Sequence, residues 1–102
     1  MTEDKSVPVP SGLRAASRRW FRAVTAEFDP APHEVGLLET ACRAYDRAEQ
    51  LRHRVNREGL MVFDRFGQSR VNPALVEERN QRDLQRRAIS SLAFDVGLEE
   101  VE

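Results

Sequence analysis

The chain has little of what enzymes are commonly built from. Cys42 is its only cysteine, so no disulfide framework can form, and a reducing compartment, the cytoplasm of a host cell, is the expected setting. Its two histidines, His33 and His53, stand far apart in the sequence, without carboxylates at metal-ligand spacing. The five glycines are scattered at positions 12, 36, 59, 67 and 97, which excludes a Gly-rich phosphate loop. Apolar runs are only a few residues long, so neither a membrane span nor a signal peptide is read here. Cys42 lies among alanines and reads as small packing volume rather than as a nucleophile. No catalytic, cofactor or metal constellation emerges, and the expectation is a protein that is not an enzyme.

What is present is charge, unevenly spread. Asp, Glu, Lys and Arg make up 32% of the 102 residues, above the roughly 25% of an average soluble domain. The net charge is −1. The ends are acidic: Glu3, Asp4, Asp95, Glu99, Glu100 and Glu102 stand against Lys5 alone. Between positions 11 and 94 there are 15 arginines, no lysine and 11 acids. Codon bias in a GC-rich genome is one explanation for arginine over lysine, and the chemical consequence stands either way, because a guanidinium fork matches phosphate better than an ammonium does. The length suits one domain, and a domain this small has a modest core that oligomerisation can complete.

The pattern predicts a mainly α fold: three amphipathic helices, with a small β-hairpin between the second and third. Residues 1–10, polar and with two prolines, read as a disordered arm. Residues 11–97 form the single helical domain, and residues 98–102 an acidic tail. Ser11 offers an N-cap for a first helix, whose apolar stripe is Leu13, Ala16, Trp20, Val24 and Phe28. The stretch "DPAPHE" ends it, and Pro32 suits the first turn of the next helix, about 33–58. Leu38, Ala41, Tyr45, Ala48, Leu51 and Val55 form the stripe of that helix, widened by Leu37 and Ala44. Gly59 suits a left-handed cap.

The segment "GLMVFDRFGQSRVNPAL" breaks the helical pattern. Two short apolar strands flank "DRFG", whose glycine suits a type I turn with a bulge, placing a hairpin at about 60–71. A two-stranded ribbon is marginal alone, so it must lean on the helices or pair with another subunit. Asn72 caps a third helix, with Pro73 at its first position. The part "EERNQRD" has no apolar residue and is expected to face water, a channel or a partner. From Leu84 onward Ala88, Ile89, Leu92, Ala93 and Val96 supply an apolar face as far as Gly97.

Arg14, Arg18 and Arg22 recur every four residues, with Arg19 beside them, and span roughly 12 Å along one helix face. Glu27 is the only acid between positions 11 and 28, so the cations lack local partners. An ordinary solvated face has the same pattern. A polyanion would relieve the self-repulsion, and these four arginines are the candidate DNA-binding residues. Arg52, Arg54 and Arg57 suit the negative end of the second helix. Arg79, Arg82, Arg86 and Arg87 lie among Glu77, Glu78 and Asp83 as candidate ion-pair partners.

The order of these pieces resembles the small terminase subunit of tailed phages, in the short form found in phages and prophages of actinobacteria and related hosts. The likeness covers about residues 12–98. It is carried most specifically by "LLETACRAYDRAEQL" and by the Gly, turn-Gly, Val-x-Pro-x-Leu order of 59–75. Family members often carry His where this chain has Asn72; both can cap a helix. The resemblance implies a non-enzymatic packaging factor that assembles as a homo-oligomeric ring and binds double-stranded phage DNA. It also implies regulation of the large terminase subunit, the ATPase and nuclease, in the bacterial cytoplasm. No cofactor is implied. The acidic tail either contacts the large subunit or keeps rings soluble. A self-associating helical scaffold that does not touch DNA is the alternative, and a helix-turn-helix repressor fits less well, since no pair of short helices flanks a tight turn.

Overall fold

The computed structural model describes residues 7–96, with side chains through residue 92. Its elements are α1 (Ala15–Phe28), α2 (Pro32–Glu58), β1 (Met61–Phe63), β2 (Ser69–Val71) and α3 (Pro73–Val96). This is the mainly helical order, with the hairpin between the second and third helices, that the periodicity predicts. The expected boundary at Gly97 and the acidic tail lie outside the described residues.

Local chemistry sets the turns. Pro32 opens α2, and the Glu34 carboxylate accepts the Ala31 N–H at 2.8 Å. At the other end the Gly59 N–H donates to the Val55 carbonyl at 2.7 Å. Gly59 has φ 94° and ψ 167°, so it is not the left-handed cap expected. It occupies the positive-φ extended region that is essentially reserved for glycine, and this turns the chain straight into β1. In the hairpin, the Asp64 carboxylate accepts the N–H groups of Phe66 at 2.8 Å and Gln68 at 2.9 Å. Gly67, at φ 78°, completes the turn as its sequence position suggests. The strands pair Met61 with Val71, Val62 with Arg70 and Phe63 with Ser69.

Asn72 fastens the hairpin's base. It is buried, its Oδ1 accepts the Ala74 N–H at 3.0 Å, and its Nδ2 donates to the Gly59 carbonyl at 3.0 Å and to Glu58 at 3.1 Å. One side chain therefore caps α3 and ties it to the end of α2.

α2 and α3 run antiparallel, because Glu49 meets Arg82 while Arg52 meets Glu78. Glu78 is only 3% exposed. Arg52 faces both its carboxylate oxygens, at 2.9 and 3.1 Å, and Arg82 reaches it at 3.0 Å while also donating to Glu49. The "EERNQRD" stretch thus does not simply face water or a partner: Glu78 turns inward, and an ion-paired clasp takes the place of an apolar seam. Neutralising Arg52 and Arg82 together would strand a buried carboxylate.

α1 lies against α2, also antiparallel, and here the expected face is wrong by one position. Phe21 is fully buried and Ser17 nearly so, whereas Trp20 is 38% exposed and Ala16 is exposed. Both candidate stripes share Leu13, Val24 and Phe28, so hydropathy alone cannot choose between them. Asp46 chooses. It is buried on α2, and its carboxylate accepts the Arg14 N–H at 2.9 Å and the Ser17 hydroxyl at 2.5 Å. Ser11 is not the cap. α1 starts at Ala15, after a turn in which Gly12 has φ 84°, and Asp46 supplies from α2 the acceptor that a local side chain would otherwise provide.

The core cluster is Leu13, Phe21, Leu38, Cys42 and Leu92. Val7 and Val9, within the stretch expected to be a disordered arm, pack against it. Burial and the neighbouring Asp46 push the Cys42 thiol up to about 11, in keeping with packing volume rather than reactivity.

Two predictions follow from these ties. Asp46→Ala leaves the Ser17 hydroxyl and Arg14 N–H without their acceptor and should destabilise the protein by about 1–3 kcal/mol, read as a lowered Tm in thermal unfolding. The hydrogen bond from Asn72, and then that from Arg54, holds the Glu58 carboxyl below its ordinary value. Folding thus favours ionised Glu58: the contribution is complete above the ordinary glutamate range and is lost as pH falls through the lowered native value. The stability gap between the wild type and Asn72→Ala, measured by denaturant unfolding, should narrow on acidification and leave only the capping loss.

Candidate nucleic-acid interface

The fold sorts the arginines into two groups. Arg52 and Arg82 are held in the Glu78–Glu49 clasp, Arg43 by Glu39, Arg54 by Glu58, and Arg86 and Arg87 by Asp83. Of the candidate ion pairs of the third helix, Arg86 and Arg87 pair within α3, and Arg82 pairs both within α3 and with Glu49 of α2. Among the described residues nine arginines have no carboxylate within ion-pair distance and are exposed: Arg14, Arg18, Arg19, Arg22, Arg47 and Arg57 on α1 and α2, Arg65 and Arg70 in the hairpin, and Arg79 on α3, which does not make the ion pair expected of it.

The four sequence-predicted residues occupy α1 and its start. Asp46 fixes the backbone at Arg14, and Arg18 Nη1 donates to the Leu13 carbonyl at 2.6 Å, which holds that guanidinium against the first turn. Arg19 and Arg22 extend from exposed positions farther along the helix. With Phe21 and Ser17 facing α2, Arg14, Arg18 and Arg22 lie about a quarter turn off the buried face and stay exposed.

A broad groove of about 790 Å³ joins this row at Arg14. Arg47, His53, Arg54 and Arg57 of α2 line it, with Gln81 and a single acid, Glu77, from α3. The Gln81 side chain donates to Glu77 at 3.0 Å. Sequence reading missed this arrangement. It assigned Arg54 and Arg57 to the negative end of α2 and gave neither Arg47 nor His53 a part in an anion site. The available signal was that 47, 50, 51, 54 and 57 share one helical face, opposite the buried one. The relation to Arg14, 33 positions before Arg47, needs the tertiary fold.

The arrangement can grip a polyanion with guanidinium forks at several points. Among the described residues no group of three His, Cys, Asp or Glu side chains could hold a metal ion, and no helix is long and apolar enough to cross a membrane. Compared with known proteins, the chain matches no family model, no curated protein and no solved structure.

Arg47→Ala with Arg57→Ala should elute from immobilised heparin at clearly lower salt than the wild type while keeping its Tm. Arg86→Ala with Arg87→Ala, which removes the same number of cations, both already paired with Asp83 on α3, should shift elution less. Equal shifts for the two variants would mean that heparin reads total charge and not this groove.

Proposed function

We propose that this protein is a viral DNA-packaging factor of the small terminase kind. In this reading copies assemble into a ring, bind double-stranded phage DNA along the backbone, and regulate the large subunit that carries the ATPase and nuclease. The setting is the host bacterial cytoplasm. The observation that carries the proposal is the meeting at Arg14 of two sets of unpaired arginines, the row Arg14, Arg18, Arg19 and Arg22 and the groove set Arg47 and Arg57. Along α1 and α2 the two sets reach over roughly 25 Å, enough to follow several phosphates.

Each protomer makes only a few phosphate contacts and binds weakly. A closed set of copies presents them together and gains avidity without any new contact. Contacts to phosphate position the protein and carry no sequence information, so binding through this surface is largely independent of sequence.

Changing Arg14, Arg18 and Arg22 together to alanine should flatten the plot of log affinity against log salt by roughly 2–3 units, near 0.9 for each phosphate released. Fluorescence anisotropy with duplex DNA at several salt concentrations measures this. An unchanged slope moves the contact off α1. No binding at low salt, by a chain that self-associates, favours the helical scaffold instead.

A further inference from the structure

The hairpin turns its apolar face outward. Its register places Met61, Phe63, Ser69 and Val71 on one side and Val62 and Arg70 on the other. Val62 is half-buried, yet Met61, Phe63 and Val71 are 51, 77 and 52% exposed, and Phe66 at the turn is 74% exposed. At 150–250 Å² per aromatic side chain, the two phenylalanines alone leave roughly 300 Å² uncovered. With Leu60, Met61 and Val71 added, the patch is of the size that marks an interaction site on a soluble chain.

The opposite end of the molecule holds a complement. Between α1 and α3 lies a cavity of about 230 Å³ lined by Trp20, Val24, Phe28, Leu38, Ile89 and Leu92. A 150 Å³ apolar cavity accepts benzene, so this one has room for a phenyl ring. Its rim accounts for Trp20, the large α1 side chain that the core leaves out. The flanks are opposite in charge as well. The hairpin carries Arg65 and Arg70, its one acid Asp64 being engaged in the turn, whereas Glu27 and Asp29 flank Phe28 at the cavity.

We propose that the outward face of the hairpin docks, Phe63 foremost, into the α1–α3 cavity of a second copy of this chain. Twenty residues of α2, roughly 30 Å, separate Leu38 from the hairpin base, so the contact cannot form within one copy. Both halves of the complement belong to the same chain, and no other partner is needed. Two different surfaces meet, which makes the contact head-to-tail: it propagates and closes into a ring when the rotation allows. The proposal rests on the oligomeric part of the proposed function and names its interface.

The test uses two single-site variants of the full chain, Ser69→Cys beside Phe63 and Val24→Cys in the cavity, with the buried Cys42 left in place. Mixed under mild oxidation, they should give a disulfide-linked pair containing one of each. Adding Phe63→Asp to the Ser69→Cys chain should abolish that pair and weaken association, followed by light scattering, by roughly 30-fold or more, as for an interface hot spot. Ser69→Cys cross-linking to itself as readily as to Val24→Cys would overturn the proposal in favour of hairpins meeting face to face. Wild-type protein remaining a single protomer at high concentration would overturn it as well. Duplex binding at low salt by the wild-type chain is read separately: if it persists while Ser69→Cys and Val24→Cys give no mixed pair, the basic surface stands and only this interface fails.

Discussion

Asp46 is the side chain on which the placement of everything else in α1 depends. Its carboxylate stands inside the helical pair and is met by one backbone N–H and one hydroxyl, both from the start of α1. A buried carboxylate is tolerable only with such partners, so the helix must present Ser17 to α2 and cannot roll to bury Trp20 instead. Phe21 then fills the core and Trp20 is left at the surface, while the arginines at 14, 18 and 22 are exposed beside the buried face. One buried polar contact thus decides which apolar residues of α1 pack and which remain at the surface.

The second ordering principle is competition among arginines for acids. The Glu78 carboxylate is nearly inaccessible and takes two guanidinium groups, one from each helix of the pair. The hydrogen bond that Arg82 donates to Glu49 raises Arg82 above its usual value, and Glu78 adds to this, so that cation is committed. Arg54 and Arg43 are satisfied by acids one helical turn away. Nothing comparable reaches Arg14, Arg47 or Arg57. A chain with a net charge near zero thereby keeps one strongly cationic surface, because its acids are spent on α3, on the α2–α3 seam and at the tails.

Much of the fold was legible because it rests on local chemistry. Pro32, Gly67 and Asn72 each act at the place their residue type foretells, and most of the expected stripe of α2 is buried, with Leu38, Ala41, Ala44, Ala48 and Val55 inside. Leu37 and Tyr45 are half-buried, and Leu51 lines the basic groove instead. What escaped was non-local. Ser17 and Glu78 are polar residues in the core, and only partners about thirty positions away explain them. The same holds for the candidate interface: four of its arginines were visible as a row, but the α2 set joins them only after α1 has been laid beside Asp46. The outward apolar face of the hairpin was invisible for another reason. Alternation in sequence shows which residues share a face of a ribbon, not which face the helices cover.

Titration of duplex DNA into protein observed through its arginine Nε–H resonances tests the central claim most directly, since it reports each guanidinium separately. The account predicts salt-sensitive shifts at Arg14, Arg18, Arg47 and Arg57, with Arg52 and Arg82 unmoved in their clasp. Shifts confined to the hairpin arginines, Arg65 and Arg70, or no shift at low salt, would contradict it.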